Sequence, residues 1–208
     1  MNPRDKVIQS AFDLMILNGL ANLSVNDMLR ELKMTKGGFY YYFKSKEELI
    51  CEIIDQHVLG ILWRQFEEAG TENVFGNSCL SIKEKLKVYY LMIPNPRITD
   101  DAGNTIKKYS VKNYFFMLYE LIDKYPKLSE GYRKYYYENR EMLKRILDEG
   151  KENGCLKREI DSENFAELML AVRDGLFSIY MVNDENCIKS KLDASFEIIW
   201  KQLSDEVN

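Results

Sequence analysis

The sequence predicts an all-α protein, and three observations predict it. Apolar residues recur at helical spacing through nearly the whole of the 208-residue chain, and no strand-like alternation of any length interrupts them. Glycine, proline and clusters of small polar residues cut that pattern into about nine pieces of helix length. Three helix-start signals, Ser24, Thr35 and Ser45, then fall close together near the N-terminus, so a head of short, separately capped helices precedes a larger helical body.

The first helix starts at Asn2-Pro3, with proline suited to the first helical position and Asp5 favourable to the helix dipole. Val7, Ile8, Ala11, Phe12 and Met15 give it a broad apolar face, and Asn18-Gly19 stops it. Ser24 caps a second helix, striped by Val25, Met28, Leu29 and Leu32. A tight turn at Lys33-Met34 leads to a third, capped by Thr35 and striped by Phe39 and Phe43. Ser45 with Glu48 makes a capping box for a fourth. In that fourth helix Leu49, Ile50, Ile53, Ile54, Val58, Ile61, Leu62 and Phe66 keep helical spacing to Ala69-Gly70, a rod of roughly 37 Å.

Residues 70–78 read as a loop, and a helix follows from Ile82 to Ile93, stopped by Pro94-Asn95-Pro96. Residues 97–104 read as a polar turn, and helical spacing resumes from Thr105 to Tyr125, before Pro126. A helix from Ser129 to Asn153 closes at Gly154, and residues 157–161 form a linker. The last two helices span Ser162–Val182 and Ile188–Leu203.

Short helices at this spacing are those of a helix-turn-helix, whose second helix enters the major groove of DNA. Thr35, Lys36, Gly37 and Gly38 form the first turn of that helix, and two glycines there let backbone approach a phosphate closely. Tyr40, Tyr41 and Tyr42 follow, and exposed phenols are good phosphate donors. From Arg30 to Lys46 there are five basic residues and one acidic, in a chain whose net charge is −4. Taken by themselves, these residues equally describe the aromatic core of a small bundle with an ordinary solvated lysine face.

From Arg4 to Ile50 the chain resembles the N-terminal domain of the TetR/AcrR family of transcriptional regulators, and that resemblance favours DNA. Ala11, Met15 and Gly19 fall on the family's first-helix pattern, Ser24 and Met28 on its second helix, and Thr35-Lys36-Gly37-Gly38-Phe39-Tyr40 on its recognition helix. Tyr40-Tyr41-Tyr42-Phe43 and Ser45-Lys46-Glu47-Glu48-Leu49 carry the most specific part. Three positions depart from the pattern. Leu29 replaces a small residue, Lys44 a common proline, and Lys33 the usual turn glycine, so Lys33 is expected to hold a left-handed backbone.

The resemblance implies a head at residues 1–48 that binds DNA through Ser24, Thr35, Lys36, Gly37, Gly38, Tyr40, Tyr41 and Lys46, and a body at residues 49–208 for ligand and dimer. Charge agrees with that division, since residues 51–208 carry 22 basic and 27 acidic side chains against seven and six in the first fifty. It implies a homodimer built from the last two helices, with Phe165, Met169, Val172, Leu176, Phe196, Ile199, Trp200 and Leu203 as interface; an intramolecular core is the other account of the same stripe. It implies a pocket for an unknown small-molecule effector walled by Tyr89, Met92, Tyr114, Met117 and Tyr136, which core packing explains equally well.

The function expected is thus a ligand-released repressor on a palindromic operator in double-stranded DNA. The alternative is a helical DNA- or protein-interaction regulator without a small molecule. Cys51, Cys79, Cys155 and Cys187 are too scattered for a metal site and read as reduced structural thiols. His57, the one histidine, has no nucleophile motif nearby and reads as a bystander, so no enzyme, cofactor or metal is expected. No apolar run is long enough to span a membrane and no signal peptide is recognisable, which suggests the cytoplasm.

Overall fold

The computed structural model describes residues 2–70, 80–94, 96–99 and 105–204. Its helices are α1 (Pro3–Asn18), α2 (Val25–Glu31), α3 (Lys36–Tyr42), α4 (Lys46–Ile53), α5 (Gly60–Gly70), α6 (Ile82–Tyr90), α7 (Val111–Lys124), α8 (Pro126–Glu152), α9 (Ser162–Asn183) and α10 (Ile188–Leu203). A π-helical segment, Ile54–Leu59, joins α4 to α5 without a break, so the described residues hold nine helices and the fold is all-α as expected. The predicted loop at 70–78, apart from Gly70, and Cys79 lie outside the described residues.

Several boundaries differ from the sequence expectation. Residues 97–104 read as a turn and Thr105 as a helix start, but β1 (Arg97–Thr99) pairs antiparallel with β2 (Thr105–Lys108). Strands of three and four residues are too short to show a period of two. The amide of Tyr109 closes the base of this hairpin on the Pro96 carbonyl at 2.9 Å, and α7 starts only when the Ser110 side chain accepts the Asn113 amide at 3.3 Å. Helix α6 ends at Tyr90, well short of Pro94. Pro126, expected only to stop a helix, also starts α8, because its fixed φ suits a first helical turn.

The capping at Ser45 is also half of what its sequence suggests. Ser45 Oγ accepts the Glu48 amide at 3.1 Å, but the Glu48 carboxylate takes the Lys44 amide, at 2.6 Å, as its partner. A reciprocal capping box exists instead at Ser81–Glu84, starting α6.

The helices form two compact units. The first comprises residues 1–62 and 95–132, the second residues 63–94 and 133–208. In the first, Val7, Ile8, Phe12 and Met15 of α1 are fully buried, as are Met28 of α2, Phe39 of α3 and Leu49 of α4. Arg4 clamps α1 to α4 through Glu52 at 2.8 Å, and Glu120 of α7 accepts the Leu20 amide at 2.9 Å. Phe12 stacks on His57 at 4.7 Å, so the lone histidine is a packed side chain of the π segment.

Glu52 carries a predicted pH dependence. The hydrogen bond from Arg4, aided by its charge, lowers the Glu52 pKa below its ordinary 4.5. A carboxylate whose folded pKa is depressed stabilises the fold above its unfolded pKa and loses that contribution as the pH falls through the folded one. Stability should therefore fall on acidification below about pH 4.5, and Glu52→Gln should flatten that part of the profile. Urea midpoints measured from pH 7 to pH 3 check this.

In the second unit α6 binds α10 through Lys83–Glu197 at 2.6 Å and Lys87–Asp193 at 3.0 Å. The Tyr90 hydroxyl pairs with Ser195 Oγ at 2.7 Å, and Lys85 reaches Glu149 of α8 at 2.6 Å. Gly154, at φ 71°, lets the chain turn after α8. Asp161 Oδ1 caps α9 by accepting the amides of Glu163 and Asn164, both at 3.1 Å.

Candidate nucleic-acid interface

Two short helices and the turn between them set the geometry of the head. Ser24 Oγ accepts the Asn26 amide at 3.2 Å to start α2, and Thr35 Oγ1 accepts the Gly38 amide at 3.1 Å to start α3. The turn between them closes with the Met34 amide on the Leu29 carbonyl at 2.9 Å. It needs Lys33 at φ 50°, the only left-handed non-glycine backbone among the described residues, as the departure from a turn glycine implied. Lys33→Gly is expected to raise stability by up to about 1 kcal/mol, read as a shifted urea midpoint at unchanged slope.

Helix α3 sorts its aromatic residues cleanly. Phe39 and Phe43, one turn apart, are buried with ring centroids 5.8 Å from each other, and the Arg4 guanidinium lies 4.9 Å over the Phe43 ring. Tyr40 and Tyr41 point outward, 48% and 81% exposed, which settles the question of whether the aromatic run is core or surface. Each is buttressed edge-on by a neighbour, Tyr40 by Phe39 at 5.3 Å and Tyr41 by Tyr42 at 5.0 Å. Such contacts restrict the rings and leave the hydroxyls in water.

The rest of the expected site is on the same head. Thr35, Lys36 and Gly37 are exposed, while Ser24, Gly38 and Lys46 are half-buried. The two glycines are unlike. A Cβ on Gly37 would meet nothing within 4 Å, whereas one on Gly38 would press on Met34 Cγ at 3.1 Å. Gly38 thus has a local packing reason, and Gly37 alone keeps a bare, outward backbone. Lys33 and Lys44 are exposed as well, so the head presents more cation than the expected contact set contains. Glu31 is exposed too, and Arg30 is tied to Asp27 at 2.6 Å.

The residues expected at a dimer seam are placed differently. Met169, Phe196, Ile199, Trp200 and Leu203 are buried within the chain itself, and Phe165, Val172 and Leu176 are half-buried. The stripe chosen from the sequence is mostly the inward one. An outward stripe also exists: Leu168, Ile179 and Val182 on α9 and Ile198 on α10 are 50–65% exposed. With Phe165, Val172 and Gly175, the exposed α9 residues recur at alternating intervals of three and four, a heptad signal readable in the sequence.

The expected pocket residues divide between the units. Tyr114 and Met117 are buried in the first, where the Tyr114 hydroxyl faces the Val58 carbonyl at 3.5 Å. Tyr89, Met92 and Tyr136 belong to the second; Tyr136 donates to Glu167 at 3.0 Å. Among the described residues no three histidine, cysteine or acidic side chains are grouped to hold a metal, and no helix is long and apolar enough to cross a membrane.

Residues 7–53 match the family described as bacterial regulatory proteins, tetR family. An HTH-type transcriptional regulator from the lacX 3' region of Lactococcus lactis subsp. lactis is 33% identical over 89 residues, 43% of this chain and 44% of that protein. The HTH-type transcriptional regulator YwcC of Bacillus subtilis is 25% identical over 199 residues, 91% of this chain and 82% of that one. The Lactococcus match thus spans under half of that relative's length. Among solved structures, a transcriptional regulator from Saccharomonospora viridis in complex with choline aligns with a TM-score of 0.71 at 18% identity, covering 98% of both chains. A TetR-family regulator from Cytophaga hutchinsonii aligns at 0.68 and 20% identity, covering 98% and 96%. These likenesses establish the fold, and the relatives are regulators, not enzymes.

Proposed function

The chain belongs to the tetR family of bacterial regulatory proteins, and on that premise we propose that it is a dimeric, sequence-specific repressor that a small-molecule effector releases from its operator. The observation that carries this reading is the division of α3 into two faces. Phe39 and Phe43 anchor one in the core, while Lys36, Tyr40 and Tyr41 stand on the other in water. A helix fixed from behind with cations and phenols in front is built to enter a groove lined by phosphates.

Residues 1–48 are the DNA-reading part and residues 49–208 the ligand-binding and dimer-forming part of this scheme. Thr35, Gly37, Tyr40, Tyr41 and Lys46 anchor phosphates, Ser24 takes a flanking phosphate, and Lys36 faces base edges. The outward α9 stripe, with Ile198 of α10, is the surface that meets a second copy, because a self-complementary apolar face suits a two-fold contact. Two heads then read the two halves of a palindrome in the cytoplasm. The helix from Lys46 through the π segment to Gly70 carries residues of both compact units, and we assign it the transmission of effector binding to head spacing. Release requires that the effector bind one head spacing more tightly than the other.

A gel-shift titration on DNA upstream of the protein's own and neighbouring genes tests the reading. Preference for one inverted repeat over bulk DNA at moderate salt is the expected result. Equal retention of every fragment would overturn it.

A further inference from the structure

We propose that Arg4 is a positioning residue for DNA reading: its guanidinium, held between the Glu52 carboxylate and the Phe43 ring, fixes the angle at which α3 meets the groove. This rests on the reading of α3 as the helix that enters DNA. It adds a residue outside the contact set, one that acts through another side chain.

Helix α3 has little to hold it. It is seven residues long, too short to be stable by itself, and Phe39 is the one residue of it that is buried. A single point of attachment leaves a helix free to tilt. The second point is Phe43, where the chain leaves α3 in an extended conformation, φ −136° and ψ 127°, with its ring 5.8 Å from that of Phe39. Phe43 is 1% exposed, so the groups that cover its ring decide where the end of α3 lies.

Arg4 is one of those groups. Pro3 and the Asn2 side chain, which accepts the Asp5 amide at 2.9 Å, fix the first turn of α1, and Arg4 is the second residue of that helix. A cation there opposes the helix dipole, whose positive end lies at the N-terminus, so its place calls for a compensating contact. Glu52 of α4 supplies it: Arg4 Nη2 lies 2.8 Å from Glu52 Oε1, and Nη1 donates to Oε2 at 3.5 Å. The hydrogen bond to Glu52, and then the charges of Glu52, Asp5 and Glu48, favour the charged form. The guanidinium carbon also lies over the Phe43 ring, 4.9 Å from its centroid. One planar group therefore links α1, which carries it, α4, which binds its charge, and the end of α3, whose ring lies under it.

The clasp offers geometry more than stability. Its two side chains are 34% and 33% exposed, and ion pairs so exposed add little to the folded state. A fork that meets a carboxylate along its edge while presenting a flat face to a ring belongs to arginine and not to lysine. Glu52 is itself steadied from the π segment, where Gln56 Nε2 donates to Oε2 at 3.0 Å.

Arg4→Lys and Glu52→Gln test the proposal in anisotropy titrations of the full chain. One duplex is the inverted repeat that the wild type selects from a random-sequence pool, and the other is a scrambled duplex of the same length. Arg4→Lys keeps the net charge, so its affinity for the scrambled duplex should stay within about twofold of wild type, at an unchanged salt slope. Its affinity for the selected duplex should fall by at least about tenfold, the scale of one misread base pair per half-site. Glu52→Gln makes each protomer one charge more positive, which by itself favours DNA. Positioning predicts the opposite on the selected duplex, a loss of at least about tenfold. A merely structural contact would lower the melting temperature and leave the ratio of the two affinities unchanged, at a temperature where circular dichroism shows the variants folded. That result, an equal loss on both duplexes, or a variant that does not fold, would overturn the role of Arg4 alone. A wild type that binds both duplexes equally would overturn the reading of α3, and this proposal with it.

Discussion

Replacing Ile179 by Asp is expected to dissociate the proposed dimer and, through it, to lower operator affinity by about a thousandfold. Ile179 is 54% exposed on the outward α9 stripe, between Leu168 and Val182, themselves 50% and 59% exposed. In an isolated chain a charge there costs little, because the side chain already stands in water. Across a two-fold contact the same change places two carboxylates in an apolar seam, where desolvation and mutual repulsion oppose association. The large effect on DNA follows from linkage. A dimer engages its second half-site intramolecularly, and losing that effective concentration removes about 10²–10⁴ in affinity without touching any DNA contact. Sedimentation equilibrium and anisotropy titration on the same variant separate the two effects, and an unchanged helical circular dichroism spectrum shows that the fold survived. A variant that remains dimeric would remove α9 from the interface.

Lys36→Ala and Lys46→Ala are expected to weaken binding in different ways. Lys36 is the first residue of α3 and exposed, at the end proposed to enter the groove, so on that proposal its loss should cost about 1–3 kcal/mol per half-site and change which base pair is preferred. Lys46, half-buried at the first position of α4, is the residue proposed to hold the DNA backbone. Its loss should weaken every sequence alike and lower the slope of log affinity against log salt by about one per protomer. Titrations on the operator and on single-base variants, each at several salt concentrations, distinguish these outcomes. A uniform loss at Lys36 or a changed preference at Lys46 would reverse the assignments.

How much of this was legible in the sequence depended on whether the signal was local. Ser24, Thr35 and Ser45 announced their helices because a cap is made by a side chain and amides two or three residues away. The left-handed Lys33 was implied by the family resemblance, in which a turn glycine usually stands there, and the sorting of Phe39 and Phe43 from Tyr40 and Tyr41 follows from helical geometry once one face is fixed. The partner chosen by the Glu48 carboxylate was not legible, since the capping-box pattern pairs it with the Ser45 amide and it takes the Lys44 amide, one residue earlier, instead.

The body of the chain was harder to read for a different reason. Helix α9 is apolar on two sides, and nothing in the order of its residues says which side its own chain covers. Met169 and Phe177 turned inward, while Leu168, Ile179 and Val182 stayed in water. Arg173 shows the same limit: a charged residue in a mixed helix reads as solvated, yet packing leaves it 5% exposed. The hairpin and the π segment escaped because each is too short to impose a period of its own.

Selection of bound duplexes from a random-sequence pool by the full-length protein tests the central claim most directly. If two copies of the α3 face read DNA as a symmetric pair, the recovered sequences will converge on an inverted repeat with identical half-sites. Recovery of a pool with no common sequence, or of a single unrepeated half-site, would contradict the account.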